Sequence, residues 1–320
     1  MRQKIFTIII VAFTLSLNAQ ERCGTEALTK HRIEKYPQYK IAKGKINAQI
    51  EKWIENYSNE SEKTIITIPV VVHVVWNTNA ENISDSRVYE QMEILDNDFR
   101  RTNIDVINTP SVWQALAADC EIEFCLATTD PNGNTTTGIN RVETTISQFS
   151  IWGGSSVKDE AAAWSNGNYL NIWVCNLGNN LLGYAIPASS FITGDDGVVI
   201  NYPNFGNSGN SNAPYHKGRT TTHEVGHWLN LEHIWGDNNC GDDQVTDTPT
   251  QEEENYGAPA FPHNANSCGT TNSNGDMFMN YMDYTNDAAM NLFTEGQKIR
   301  MISTINEYRP NMLSHNLCNG

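Results

Sequence analysis

The sequence predicts an α/β fold in which strands and helices form an upper part over a loop-rich lower part. A β-branched apolar run at residues 64–77, TIITIPVVVHVVWN, is typical of a buried strand. Helical periodicity and shorter strand patterns then alternate along the chain, as they do in α/β domains. Residues 236–276 are dense in Gly, Asp, Asn and Pro, so we expect an irregular lower part held by a disulfide or bound calcium.

Two segments are expected to precede this domain. Residues 1–20 begin with basic side chains, continue with an apolar run and end on small polar residues, which predicts a secretory signal peptide. The apolar run at residues 5–17 is too short to be a membrane-spanning helix. Residues 21–63 are polar, lysine-rich and weakly helical without a strand pattern, which indicates a pro-segment. Residues 64–320 are then expected to form the folded domain, with no membrane association in the mature protein.

Helical and strand periods predict the elements of residues 64–320. Residues 84–101 carry apolar side chains near helical spacing and predict an amphipathic helix. Short strands are predicted at residues 122–127, 169–174 and 197–201, and a loop is predicted at residues 201–212. Thr294, with Gln297 after it, predicts a capping box that opens the last helix, and Pro310 lies just past the expected end of that helix.

The charge balance excludes one class of partner. The chain carries 21 basic and 37 acidic residues, a net charge of −16 at pH 7. Nucleic-acid phosphates repel such a surface, so we expect no nucleic-acid partner. The same charge is compatible with an extracellular protein, with calcium binding or with attraction of basic substrates, and it does not choose among them.

The cysteines fit an exported protein and leave one thiol to explain. The chain has seven cysteines, and an exported protein is free to form disulfides. Because the count is odd, at least one thiol has no partner within the chain. The sequence leaves open how Cys120, Cys125, Cys175 and Cys318 pair.

The stretch HEVGHWLNLEH, residues 223–233, concentrates metal-binding chemistry. Residues four apart lie on one face of a helix, so His223 and His227 can present their imidazoles to one zinc ion. Glu224 then reaches a water at the metal without binding the metal, as a general base does. The alternative is a solvated surface helix that happens to be rich in histidine.

A third histidine follows at His233. On a continuous helix it would point away from the same zinc and lie about 9 Å further along the axis than His227. The chain must therefore turn sharply after Leu229, through a residue with left-handed backbone geometry. Glycine adopts that geometry without a steric penalty and asparagine is the next best residue, so we expect Asn230 to form the turn. His233 then returns as the third zinc ligand.

These residues resemble the extended zinc-binding motif of the metzincin metalloproteases, with Asn230 in place of the usual glycine. MNYMDY, residues 279–284, is similar to the metzincin Met-turn, and RCGT, HEVGHW and MDYTNDAAMNLFT resemble the pappalysin (cytophagalysin) family. The resemblance spans the chain from Cys23 to Tyr308. It implies a metzincin zinc-protease fold, with a twisted mixed sheet and an active-site helix over an irregular lower subdomain. It also implies a secreted zinc endopeptidase that is made as a latent zymogen and acts on proteins or peptides.

The resemblance implies roles for three residues. Glu224 activates the water that attacks the scissile carbonyl, with zinc as the Lewis acid. Tyr284 donates its hydroxyl to the oxyanion of the tetrahedral intermediate, and the alternative for this residue is a packed core tyrosine. Met282 forms the apolar base beneath the metal.

Cys23 is a thiol for which the resemblance implies a use. RCGT, residues 22–25, resembles the cysteine-switch segment of the family. The Cys23 thiolate would take the fourth zinc position and keep the enzyme latent. The alternative is a disulfide between Cys23 and Cys318. Activation is expected to require a cut in the pro-segment near Lys63.

Calcium is expected as a second metal in the lower part. Acidic side chains are close together along this irregular chain, and their oxygen atoms suit calcium. The resemblance favours calcium in the stretch GDDQVTDTP, at Asp242, Asp243 and Asp247. A solvated acidic loop is the alternative.

The resemblance also bears on the substrate cleft. Cys240–Cys268 matches a disulfide of the family, whereas Ala289 stands where relatives often carry a cysteine. Asp287 is expected in the pocket for the residue after the cleaved bond, where an acidic side chain favours arginine or lysine. A solvent-facing or calcium-linked aspartate is the alternative. The segment that starts at Leu181, LLGYAIPAS, resembles the upper rim that pairs with an extended substrate as an added strand.

Two other functions remain open on the sequence. In a gluzincin-like peptidase, a later glutamate (Glu252, Glu253 or Glu254) replaces His233 as the third ligand, which leaves the spacing of His233 unexplained. A zinc-dependent binding or adhesin module keeps the metal and lacks turnover, yet such a module has no need of a general base at Glu224. The sequence gives neither the oligomeric state nor the physiological substrate.

Overall fold

The computed structural model describes residues 21–57, 64–152, 156–165, 167–178, 181–187, 196–208 and 213–318. The predicted signal peptide and the expected activation site near Lys63 lie outside these ranges. Within the ranges, no helix combines the length and the apolar character that are needed to cross a membrane.

A mixed sheet forms the centre of the described chain, and the predicted α/β fold is confirmed. Its seven strands are β1 (Glu21–Cys23), β2 (Ile66–Trp76), β3 (Ile122–Leu126), β4 (Ile139–Glu143), β5 (Leu170–Cys175), β6 (Leu181–Ile186) and β7 (Gly197–Asn201). The order is β1-β6-β7-β5-β2-β3, and β4 also pairs with β2. The pairing of β6 with β7 is antiparallel, and the other pairings are parallel.

Strand β2 lies inside the sheet because its residues suit burial on both faces. Its sequence, ITIPVVVHVVW, is dominated by β-branched side chains, and residues 68–75 are all buried. β5 pairs with β2 on one side, while β3 and β4 follow one another along the other side. β2 therefore organises the sheet on which the helices pack.

Helices cover both faces of this sheet. α3 (Asp85–Phe99), α5 (Arg219–Trp228) and α6 (Glu295–Tyr308) share one large apolar core with β2, β5 and β7. The other described α-helices are α1 (Thr25–Lys35), α2 (Pro37–Glu55) and α4 (Val157–Glu160). Trp173 of β5 belongs to a second apolar cluster with α1 and α4, whereas its neighbour Val174 belongs to the large core. Because side chains alternate along a strand, the two cores lie on opposite faces.

The local signals in the sequence locate the helix ends well. Ser84 caps α3, and its hydroxyl accepts from the Arg87 N–H at 3.3 Å. Thr294 and Gln297 form the predicted capping box at the start of α6, which ends before Pro310. The predicted helix at residues 84–101 and the predicted capping box of α6 are confirmed.

Two strands do not follow from the sequence patterns. β1 lies in the segment for which we expect no strand, because three residues carry no period and form a strand only by pairing with β6. β4 is short and largely half-exposed, so it lacks the apolar alternation of a buried strand. Residues 21–57 are also more helical than expected, since α1 and α2 fill most of them.

The lower part is irregular, as expected. Within the fully described residues 236–276, a short 3₁₀-helix (Gly269–Asn272) is the one regular element. Cys240 and Cys268 form the disulfide that the family resemblance implies. This covalent link holds a segment that has little apolar core of its own.

A second disulfide, absent from our expectations, joins Cys125 at β3 to Cys318 near the C-terminus. The alternative disulfide between Cys23 and Cys318 is therefore wrong, because Cys318 has another partner and Cys23 is a buried thiol. The remaining free and buried thiols are Cys120 and Cys175.

Replacing Val72 by alanine tests the central place of β2. Val72 is fully buried, so we expect the loss of two methyl groups to lower the free energy of unfolding by about 2 kcal/mol. Val112→Ala removes the same groups from a side chain that is 44% exposed. Its effect is expected to stay below about 0.5 kcal/mol. Thermal unfolding followed by circular dichroism compares the two variants, and equal losses would contradict this account of the core.

Candidate metal centre and substrate cleft

Helix α5 presents two histidines in a buried environment. All ten residues of α5 are buried, which excludes the solvated surface helix. His223 Nδ1 lies 2.7 Å from the carbonyl oxygen of Tyr281, and His227 Nδ1 lies 2.8 Å from that of Leu231. A carbonyl oxygen can only accept a hydrogen bond. Each Nδ1 is therefore the donor, and each Nε2 keeps a lone pair for a metal.

Asn230 forms the turn that brings in the third histidine. α5 ends at Trp228, and Asn230 has a φ of +68°, the left-handed geometry that the sequence analysis expects there. The Leu231 N–H then donates to the carbonyl of Gly226 at 3.0 Å and closes the turn. The carbonyl of Asn230 accepts from the buried Arg300 side chain at 2.9 Å.

The three histidines converge on one point. His227 Nε2 lies 3.2 Å from His223 Nε2 and 3.0 Å from His233 Nε2. The Cys23 sulfur joins them, and the four ligand atoms lie within 4.8 Å of one another. Burial lowers the pKa of His227 to about 3, so its imidazole is neutral. Neutral imidazoles whose lone pairs meet at this separation repel unless a cation lies between them, and three imidazoles with a thiolate suit tetrahedral zinc.

The glutamates considered as alternative third ligands lie elsewhere. Among the described residues, the groups with converging metal-ligand atoms contain His233 and none of Glu252, Glu253 and Glu254. Glu252 instead accepts from the Asn239 side chain at 3.4 Å. This geometry disfavours the gluzincin-like alternative.

Met282 lies directly against the metal-binding helix. It is fully buried, and a Cβ atom built on Gly226 would lie 2.5 Å from its sulfur. A glycine at position 226 therefore lets α5 pack against Met282. The Ile234 N–H, next to His233, donates to the Met282 carbonyl at 3.3 Å.

Glu224 faces the histidine cluster with one bonded oxygen and one unpaired oxygen. Its Oε2 accepts from the Thr25 hydroxyl at 3.0 Å and lies 3.4 Å from the Cys23 sulfur. Within the described chain, its buried Oε1 has no hydrogen-bond partner. Burial raises the pKa of this carboxyl to about 7, which is the range that suits proton transfer near neutral pH.

Tyr284 lies beside the histidines. Its ring centre is 4.9 Å from that of His233 and 5.7 Å from that of His223. Its hydroxyl donates to the carbonyl oxygen of Cys23 at 3.4 Å. The hydroxyl is therefore within reach of a peptide carbonyl held next to the metal ligands.

The N-terminal segment enters the cleft as β1, along the edge of β6. Cys23 lies opposite Gly183 in a parallel pairing, and the Gly24 N–H donates to the Gly183 carbonyl at 2.9 Å. Burial, with the nearby Glu224 carboxylate, raises the pKa of the Cys23 thiol. A thiolate in this position therefore needs a cation at the histidines.

Asp287 is fully buried, so the solvent-facing alternative is wrong. Its Oδ2 accepts from the backbone N–H groups of Lys217 at 2.7 Å and Arg219 at 3.3 Å. Its Oδ1 has no hydrogen-bond partner in the described chain and lies 3.7 Å from the guanidinium of Arg22. Burial raises the pKa of Asp287, and the charge of Arg22 opposes that rise.

The pocket around Arg22 suits a planar cation. The guanidinium lies 5.2 Å from the ring centre of Tyr215, 3.0 Å from the Met290 sulfur, and donates to the carbonyl of Thr285. An aromatic ring, a carbonyl and the carboxylate of Asp287 together complement the shape and charge of a guanidinium. Asp287 and these groups together surround the guanidinium of Arg22.

The aspartates predicted to bind calcium have protein partners. Asp243 accepts from the Thr248 hydroxyl at 2.9 Å, and Asp247 accepts from the Gly296 N–H at 2.8 Å at the start of α6. Asp242 accepts from a backbone N–H two residues later at 2.8 Å. Among the described residues, the three carboxylates do not form a converging group. Calcium at these residues is not supported here and stays a prediction.

Three residues of this site have no role assigned from the sequence, although Arg22 and Thr25 lie in the RCGT stretch. Arg22 fills the Asp287 pocket, and its signal is its place next to Cys23 together with an acidic residue in the cleft. The Thr25 hydroxyl contacts Glu224 and accepts from the Ala185 N–H at 2.8 Å. The third, Asp237, lies 2.5 Å from Nδ1 of His233.

Comparisons with known proteins agree with this geometry. The model of a peptidase family described as pregnancy-associated plasma protein-A matches residues 154–306, which include α5 and its histidines. An extracellular metalloprotease of Colletotrichum graminicola is 30% identical over 318 residues, which are 97% of this chain and 99% of the relative. The chain belongs to the pappalysin family of metzincin metalloproteases.

Solved structures of promirolysin and of mature mirolysin both match this chain. A mutant promirolysin of Tannerella forsythia is 44% identical, with a TM-score of 0.82 over 94% of this chain and all of its own. Mature mirolysin of the same species, in complex with a cleaved peptide, is 48% identical. Its TM-score is 0.75 over 80% of this chain and 99% of its own. The protein is therefore a metalloendopeptidase with a propeptide and a metzincin fold.

Replacing Asn230 tests the turn that returns His233 to the metal. Asn230→Gly keeps the left-handed geometry, so we expect unchanged zinc retention. Asn230→Val places a β-branched side chain at a φ of +68°, which costs about 1–3 kcal/mol and displaces His233. Zinc content after dialysis and thermal midpoints are the measurements. Equal zinc retention in both variants would show that the turn does not control the third ligand.

Proposed function

We propose that this protein is an extracellular zinc endopeptidase that residues 21–63 keep latent and that cleaves before arginine or lysine. The observation that carries the proposal is the buried convergence of three histidine Nε2 atoms with Glu224 beside them. Family membership supports a metalloendopeptidase. Relatives named extracellular metalloprotease support a place outside the cell.

The proposed chemistry uses the three histidines as zinc ligands. Zinc held there supplies Lewis acidity to the scissile carbonyl and to the attacking water. Glu224 would accept the proton of that water and pass it to the leaving amine. The Tyr284 hydroxyl donates to the oxyanion that develops on the carbonyl.

Substrate is proposed to bind along the edge of β6. This edge already pairs with an extended segment, β1, so its backbone groups are placed for an added strand. Along β6, Cys23 lies opposite Gly183 and Glu21 lies opposite Leu181. A substrate antiparallel to β6 that crosses the histidines near Gly183 would carry the residues after the cut toward Leu181, the side on which Arg22 lies.

The preference for a basic residue after the cut rests on Asp287. A buried carboxylate with one unpaired oxygen is costly unless a cation meets it. Arg22 meets it in the latent chain, and a substrate arginine or lysine would do so after the pro-segment leaves. Arg22 lies on the Leu181 side of Cys23, which supports the proposal that this pocket receives the residue after the cut.

Residues 21–63 are proposed as the pro-segment, residues 64–320 as the catalytic domain, and residues 1–20 as a signal peptide. Arg22 fills the specificity pocket while Cys23 faces the histidines, so one short strand blocks both binding and chemistry. Mature mirolysin matches 80% of this chain. Residues 64–320 make up the same share of the chain, which supports this division. A cut near Lys63 would free β1, α1 and α2.

Removing the general base tests the proposed function most simply. In the activated protein, Glu224→Ala is expected to keep one zinc and to lower kcat/KM by about 10²–10⁴-fold. Tyr284→Phe removes the hydroxyl that donates to the oxyanion and is expected to lower kcat by about 10²-fold. Tyr89→Phe, at an exposed tyrosine of α3, is the control and is expected to leave kcat unchanged. Zinc analysis and cleavage of a peptide library provide the data. Zinc in every variant with no cleavage by the wild type would favour the binding module.

Removing the Cys23 thiol tests latency. Cys23→Ala takes away the sulfur that faces the histidines, so we expect the full chain to activate earlier than the wild type. Cys175→Ala removes another buried free thiol from the second apolar cluster and is the matched control. The time course of activity and of pro-segment cleavage is the measurement. If Cys23→Ala stays as latent as the control, Cys23 is not the switch.

Neutralising Asp287 tests specificity. Asp287→Asn keeps the acceptor for the Lys217 N–H and removes the charge that faces Arg22. Two peptides that differ in arginine or citrulline after the cut are compared by kcat/KM. We expect the preference for arginine to fall by about 10–100-fold, the effect of one charge-assisted hydrogen bond. Asp85→Asn, at an exposed residue of α3, is the control, and an unchanged preference in Asp287→Asn would remove Asp287 from the pocket.

A further inference from the structure

We propose that Asp237 is a positioning residue that fixes the tautomer and the orientation of His233 as a zinc ligand. The inference rests on the proposed zinc site and adds a residue outside the zinc-binding motif to it. Asp237 Oδ1 lies 2.5 Å from His233 Nδ1. The carboxylate accepts a hydrogen bond from Nδ1–H, so the lone pair of His233 is on Nε2, which faces the other two histidines.

His233 is the histidine with a charged anchor. His223 and His227 are anchored by backbone carbonyls, those of Tyr281 and Leu231. A carboxylate that accepts from the distal nitrogen of a metal-binding histidine also raises the basicity of that ligand. The third ligand therefore differs from the first two in electrostatics as well as in geometry.

The position of His233 outside helix α5 explains why its ring needs a hydrogen bond that fixes its orientation. His223 and His227 are held by the backbone of α5, whereas His233 lies in the irregular chain beyond the turn at Asn230. The His233 ring stacks on Trp235, with centres 4.3 Å apart and an interplanar angle of 7°. Stacking limits the tilt of the ring and leaves its rotation within the plane free. The hydrogen bond to Asp237 restrains that rotation.

The turn that carries Asp237 is built to hold an unfavourable backbone geometry. Asp237 has a φ of +56°, a left-handed geometry that non-glycine residues other than Asn and Asp rarely adopt. Gly236 before it has a φ of +64°, and a Cβ built there would lie 2.4 Å from the backbone nitrogen of Asp242. The Gly241 N–H donates to the Trp235 carbonyl at 3.1 Å. The neighbouring Cys240 is fixed by its disulfide to Cys268. These constraints keep the carboxylate against His233.

Two other carboxylates near this place serve as controls. Glu26 of the pro-segment has a carboxylate oxygen within 4.8 Å of His233 and Asp237, but its hydrogen bond goes to Lys30. Glu232 precedes His233 in the chain and forms an ion pair with Lys43 at 3.1 Å. Both are acidic side chains close to Asp237, and neither anchors the imidazole.

Zinc affinity of the full chain tests the inference. Asp237→Ala, Asp237→Asn, Glu26→Gln and Glu232→Gln are prepared without metal, and the zinc dissociation constant is measured by competition with a chromogenic chelator. Asp237→Ala is expected to weaken zinc binding by about 10–100-fold, and Asp237→Asn, which keeps an acceptor oxygen, by less. The two glutamate variants are expected to bind zinc as the wild type does.

A cobalt spectrum separates a positioning role from general destabilisation. Co²⁺ replaces zinc, and its visible absorption bands report the ligand geometry. Asp237→Ala is expected to shift or weaken these bands while the glutamate variants keep the wild-type spectrum. Circular dichroism confirms that each variant is folded, and Asp237→Asn provides the readout if Asp237→Ala does not fold.

The outcomes distinguish this inference from the proposed function. Wild-type zinc affinity and cobalt spectra in both Asp237 variants would overturn the role of Asp237 and leave the zinc peptidase intact. A wild-type chain that binds no zinc would overturn the proposed function itself. An equal loss of affinity in Glu232→Gln and Asp237→Ala would show a general effect of negative charge and would also overturn the positioning role.

Discussion

The left-handed turn at Asn230 is the constraint on which the metal centre depends. A continuous helix would carry the third histidine away from the first two, so the chain has to reverse directly after α5. The reversal is closed by a hydrogen bond from the Leu231 N–H to Gly226, and the Leu231 carbonyl then anchors His227. One turn therefore sets the position of His233 and the tautomer of His227. Arg300 of α6 holds the Asn230 carbonyl from outside and links this turn to the rest of the core.

In the proposed zymogen, latency and substrate specificity use the same cleft. β1 occupies the edge of β6 and would therefore block the proposed active site with the kind of backbone pairing proposed for substrate. Arg22 brings a cation to the buried carboxylate of Asp287, and Cys23 brings a sulfur to the histidines. The two contacts lie next to each other in the sequence and reach different parts of the cleft. Loss of the proposed pro-segment would leave both positions unfilled at once and would couple opening of the pocket to exposure of the proposed metal site.

Local sequence signals predict the parts of this fold that depend on neighbouring residues. The β-branched run of β2, the helical period of α3, the capping box of α6 and the αL residue at Asn230 are all readable from short stretches. β1, the Arg22–Asp287 pair and the Cys125–Cys318 disulfide join residues far apart in the chain, so no period or spacing reveals them. The contact between Asp237 and His233 belongs to neither group. Asp237 lies close to His233 in sequence, but its contact depends on the backbone geometry of an irregular turn.

We propose that the sulfur of Cys23 completes the metal site of the latent chain. X-ray absorption spectroscopy of the zinc-loaded full chain, before and after removal of the pro-segment, measures the ligands directly. We predict three nitrogen ligands and one sulfur at about 2.3 Å in the latent chain, and loss of the sulfur after activation. A latent chain whose zinc has no sulfur ligand, or an activated chain that keeps one, would contradict this account.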